Sequence, residues 1–117
     1  MEAEIARART MLDWPPDWDD AGAPPIARSA WDLAMRLLAE GGVASLGLRG
    51  FMIGPCADGS VDLSWDGDDY HLLLNVPAPE SGRRPTYYGA SATGGDQPSR
   101  GTIGGPAFLA SILRWLR

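Results

Sequence analysis

Cys56 and His71 each occur once in the chain, and a thiol with an imidazole is the smallest nucleophile–base pair a protein can carry. Their chemistry requires hydrogen-bond reach. The runs "FMIGPC", "SVDLSW" and "DYHLLLNV" read as consecutive short strands, with Cys56 where the first turns into the second and His71 near the start of the third. A five-residue strand sets those two ends roughly 16 Å apart along the sheet, besides the sideways spacing. Cys56 is therefore expected as a small half-buried thiol and His71 as a surface or edge imidazole. A serine triad needs the same histidine, and no G-x-S-x-G elbow occurs. One Cys and one His are too few for a structural zinc site. "GTIGGP" lacks the spacing of a phosphate-binding loop, and with no lysine in the chain neither a Schiff base nor a P-loop lysine can form. The expectation is a protein without catalysis, cofactor or metal.

The richest remaining constellation is "DWPPDWDDAGAPP", Asp13 to Pro25, with two tryptophans, four aspartates and four prolines. Asp17, Asp19 and Gly22 fall at the first, third and sixth positions of an EF-hand loop. Ala21 occupies the fifth position, however, and Arg28 the twelfth, where a bidentate glutamate belongs. Aromatic–acid clusters also suit sugars or cations. Of the five tryptophans, Trp31, Trp65 and Trp115 lie on helical or strand periods, whereas Trp14 and Trp18 have no period to explain them. Trp14, Asp17, Trp18, Asp19 and Asp20 are thus the candidate binding residues. The competing reading is a clasp: Trp18 filling the gap between the second helix and the sheet, Asp19 accepting backbone N–H bonds, Gly22 supplying a positive φ, and Pro24–Pro25 stiffening the approach to the helix.

The elements that must position these residues can be read from period. "EAEIARARTML" gives a first helix from about Glu2 to Leu12, with Glu2 and Glu4 at its positive end. "PIARSAWDLAMRLLAEGG" is the clearest helix, with Pro25 in its first turn and Gly41–Gly42 ending it. After Phe51 the period becomes two. "ADG" at Ala57–Gly59 and "DGD" at Asp66–Asp68 mark hairpins, Val61, Leu63 and Trp65 share one parity, and Pro77 and Pro79 stop the third strand. "PTYYGASA" is a fourth strand, "RGTIG" a weaker fifth, and "TGGDQPS" between them a mobile loop. A closing helix, "PAFLASILRWLR", carries Phe108, Leu109, Ile112, Leu113 and Leu116 on its apolar face. The fold class is α+β: two N-terminal helices, an antiparallel meander of four to five strands and one C-terminal helix, in a single domain spanning residues 1–117.

Bulk properties narrow the function classes. At 117 residues and 44% hydrophobic, the chain can bury a core without disulfides. The net charge of −5, with the pair Arg83–Arg84 its only adjacent cations, argues against nucleic acid. No run approaches a membrane span, and "MEAEIARART" lacks a signal peptide's apolar core, so a cytoplasmic location is expected.

"DWDDAGAPPIARSAWDLAMRLL", "DGSVDLSWDGDDYHLLLNV", "YYGASA" and "FLASILRWL" together resemble a widespread family of small bacterial proteins with no established activity. Its members open with an Asn-Trp-Asp-Gly-x-Gly-Ala segment before a helix. The resemblance spans Asp13 to Leu116. Trp18, Asp19, Gly22, Ala23, Asp58, Gly59 and Trp65 match, whereas Asp17, Asp20 and Ala21 depart from the pattern. It implies this architecture and no reaction. The expected role is a non-catalytic acidic protein-interaction module, a partner or regulator of a larger bacterial protein in the manner of immunity proteins, antitoxins or accessory subunits. A homodimer through Trp115 and Leu116 is open. The alternative is a small-molecule or divalent-ion binding domain built on the Trp/Asp loop 14–20.

Overall fold

Strict alternation decides the architecture. Val61, Leu63 and Trp65 on one strand and Leu72, Leu74 and Val76 on the next are all 1% exposed or less. A one-residue slip in pairing would turn all six to water, so the register is firmly set. The computed structural model describes residues 1–67, 69–91 and 99–114. Its five strands are β1 (Met52–Pro55), β2 (Val61–Asp66), β3 (Tyr70–Val76), β4 (Thr86–Ser91) and β5 (Ser99–Thr102), an antiparallel meander in the order β1-β2-β3-β4-β5. The helices are α1 (Glu2–Arg9), α2 (Arg28–Glu40) and α3 (Pro106–Leu113), which with the sheet make an α+β fold. Of the expected loop at 93–99, residues 93–98 lie outside the described residues, as do Asp68, Trp115 and Leu116, while Ser99 already belongs to β5.

One core joins helices to sheet. Ala30, Trp31, Ala34, Leu37 and Leu38 of α2 and Leu109, Ile112 and Leu113 of α3 pack with the inward residues of β2 and β3. On the opposite sheet face no described strand residue is buried. Two glycines thin the inner face toward β5 and aromatic rings fill the space: Tyr70 lies over Gly89 and Tyr87 over Gly101, where an added Cβ would meet ring carbons at 2.8 and 3.0 Å.

Three local expectations are corrected. The first helix is α-helical only to Arg9 and continues as a 3₁₀ turn over Thr10–Asp13. Pro25 is not in the first turn of α2. Ala27 donates its N–H to the Gly59 carbonyl at 2.9 Å, which holds the segment before it out of the helix until Arg28. Phe108 is 43% exposed and leans on Tyr87 at 6.0 Å between ring centres. In so short a helix Leu109, Ile112 and Leu113 already complete the i, i+3, i+4 stripe.

Candidate functional site

The Trp/Asp loop turns its polar groups on itself. Asp17 and Asp20 both have positive φ, 64° and 58°, a conformation short acidic residues tolerate, and Gly22 follows at 84°. Asp17 donates its N–H to the Ala23 carbonyl at 2.7 Å, and its Oδ1 accepts the Gly22 N–H at 2.6 Å. Asp19 Oδ1 accepts from Ala21 and Ala23 at 2.9 and 3.0 Å, and those N–H groups hold its carboxyl below the ordinary aspartate value. The loop is a clasp. Trp18, however, does not fill a gap between α2 and the sheet. Its Nε1–H closes the same loop onto the Pro24 carbonyl at 2.7 Å, and its ring packs against half-exposed Trp14 at 5.3 Å. Asp20 stays exposed at the tip. Among the described residues no three His, Cys, Asp or Glu side chains converge to hold a metal ion.

Cys56 and His71 are kept apart, as their strands require. Asn75 beside Cys56 and His71 lie at opposite ends of β3, four residues or about 13 Å along the strand. His71 Nδ1 pairs with Asp66 across the β2–β3 hairpin. Burial, reinforced by the Asp62 carboxylate, pushes the Cys56 thiol up to about 11, so it is not a thiolate at neutral pH. The polar groups around it tie loops together. Asn75 Nδ2 donates to Ser60 Oγ (2.8 Å) and Asp62 Oδ1 (2.9 Å), and the Ser60 hydroxyl donates to Asp58 Oδ1 at 2.5 Å. Arg83 reaches the other Asp58 oxygen at 3.1 Å. The Ser60 donors, with Arg83, hold the Asp58 carboxyl at about 2.

The two sheet edges differ in kind. Cys56 N–H bonds to the Ser60 carbonyl, so by the alternation of an antiparallel ladder Ile53 and Pro55 direct their backbone groups outward. Glu4 Oε2 accepts the Ile53 N–H at 2.8 Å, Arg7 Nη2 donates to the Ile53 carbonyl at 2.8 Å, and Pro55 has no N–H to offer. Arg7 also grips Glu4 at 2.6 and 2.7 Å, and this contact leads the causes that hold the Glu4 carboxyl at about 2. The β1 edge is closed. At the other edge Ile103 N–H bonds to the Pro85 carbonyl, so Arg100 and Thr102 direct their backbone groups away from β4. No other described strand pairs there.

Beside this open edge lie two adjoining hollows of about 480 and 430 Å³ that share Thr86 and Thr102 as a common wall. Asn75, Arg83 and Arg84 bound the first; Tyr87, Tyr88 and Arg100 bound the second, with the Arg100 guanidinium 5.5 Å from the centre of the Tyr88 ring. Among the described residues no carboxylate lines either one. A third hollow of about 350 Å³, walled by Val43, Leu48 and the Phe51–Trp65 pair, continues the apolar core outward.

Neither the Glu4–Arg7 clamp nor the Arg84/Tyr88/Arg100 surface is legible in the sequence. The i, i+3 spacing of Glu4 and Arg7 was visible, but their shared target on β1 is a long-range partner. Among the described residues no helix is long and apolar enough to cross a membrane. Comparison with protein-family models, with curated proteins and with solved structures yields no match to this chain.

Proposed function

We propose that this chain is a non-catalytic protein-interaction module, an accessory or regulatory partner of a larger protein, which engages that partner by strand pairing at β5. The observation that carries the reading is the asymmetry of the sheet: one edge is blocked by Glu4, Arg7 and Pro55, the other offers outward backbone donors and acceptors beside Tyr88 and Arg100. Exposed strand edges are ordinarily blunted, and one left open is a template for an incoming strand. The poor nucleophilicity of Cys56 and its separation from His71 are consistent with a binding role.

The test is affinity capture of the tagged chain from its source cells, beside Thr102→Pro. Proline at this outward position removes an N–H that the β4 ladder does not use. The expected result is a stoichiometric partner retained by the parent chain and lost by the variant, with unchanged circular dichroism. A partner retained equally by both would overturn pairing at β5.

A second reading, a small-molecule or divalent-ion site at Trp14, Asp17, Trp18, Asp19 and Asp20, draws on the half-exposed Trp14 ring beside exposed Asp20. It expects a ligand-dependent rise in melting temperature on titration with calcium or with simple sugars. A flat response to both counts against it.

A further inference from the structure

From the charge that surrounds the open edge we infer the chemistry of the partner: an extended segment carrying acidic side chains at alternate positions. The inference rests on the strand-pairing reading above. A strand laid against β5 places every second side chain on the uncovered sheet face, level with Arg100 and Thr102. Tyr88 and Arg100 already share that face as a cross-strand pair, and Tyr88 is 37% exposed. Arg84 bounds the hollow that continues from theirs across the Thr86–Thr102 wall. Arg83 is engaged by Asp58, which leaves Arg84 and Arg100 as the cations facing an incoming chain.

The local sign is opposite to that of the whole. In a chain of net charge −5 the surface beside the open edge is lined by three arginines and no described carboxylate. Carboxylates at alternate positions of an added strand meet those guanidiniums on one face, while the backbone supplies the pairing. A nucleic acid has no strand ladder to offer the edge. Two available guanidiniums also neutralise too few phosphates to hold a polynucleotide on an acidic protein.

The full chain, isotopically labelled, is titrated by two-dimensional amide NMR with a capped octapeptide alternating threonine and glutamate. Its lysine counterpart and a thymidine octanucleotide serve as comparison probes. The expected result is that the glutamate peptide moves the amides of Arg100, Thr102 and Tyr88, weakens with added salt, and loses roughly tenfold in affinity to Arg84→Glu/Arg100→Glu. Both arginines are exposed, so the variant keeps its fold. Equal shifts with the lysine peptide, shifts located elsewhere, no shift at all, or stronger shifts of the same amides with the octanucleotide would each overturn the inference. If the glutamate peptide fails while Thr102→Pro still abolishes partner capture, the acidic class falls and pairing at β5 stands. If Thr102→Pro leaves capture intact, the pairing itself falls.

Discussion

The outer strands β1 and β5 are both four residues long and both pair antiparallel on one side only, yet they have opposite fates. At β1 a helix supplies a carboxylate to the N–H and a guanidinium to the C=O of one residue, Ile53, and proline removes the next outward donor. At β5 no described element does either. Outward peptide groups left to water cost little, so backbone satisfaction alone does not demand the β1 clamp, although the clamp adds stability of its own. What the clamp changes is availability for pairing. The proposed pairing at β5 rests on this difference.

Breaking the closed edge should have the largest effect. Glu4→Ala strips the Ile53 N–H and the Arg7 guanidinium of their shared acceptor and should cost about 2–3 kcal/mol, read from denaturant midpoints at constant slope. The same contact sets a pH window. Glu4 is depressed from 4.5 to about 2 in the folded chain, so its contribution is complete above about pH 4.5 and is lost as pH falls toward 2. Asp58, depressed from 3.8 to about 2, adds to the lower part of that window. Glu4→Gln should flatten the melting-temperature profile there; an unchanged profile would remove Glu4 from the account.

Gly101→Val attacks the open edge instead. A Cβ there meets Tyr87 at 3.0 Å, and the displaced ring should cost about 1–2 kcal/mol and weaken β5, seen as faster amide exchange at positions 99 and 101 than in the parent chain, with Leu72 unchanged. A smaller loss, about 1 kcal/mol, is expected for Trp18→Ala, which removes the Pro24 hydrogen bond and the Trp14 contact. Exchange should quicken at the amides of Ala21 and Ala23 while β5 is unaffected; a change at β5 would mean that the loop and the edge are coupled. The smallest effect belongs to Cys56: alkylation by iodoacetamide at neutral pH should be much slower than for a free thiol, with no change between parent chain and Gly101→Val.

What could be read beforehand was whatever repeats with a short period. The two-residue alternation of Val61, Leu63 and Trp65 predicts the sheet and its inner face, and the apolar stripe of α2 predicts its packing. Asp19 and Gly22 were legible because Asx turns and positive φ are local properties. Contacts between distant segments were not. The start of α2 is decided by Gly59, more than thirty residues downstream, and the β1 clamp by a helix 46 residues away from its target carbonyl. Trp18 misled for a related reason. A large ring without periodicity invites a place in the main core, and here it closes a loop of its own through a bond to Pro24, six residues on.

The clamp also limits growth. A chain with two open sheet edges can stack head to tail without end, which is the geometry of filaments. With Ile53 occupied and Pro55 beside it, this sheet can be lengthened from one side only. Two copies meeting through β5 would present nothing but sealed β1 edges to the outside, and polymerisation by edge pairing would stop at the pair.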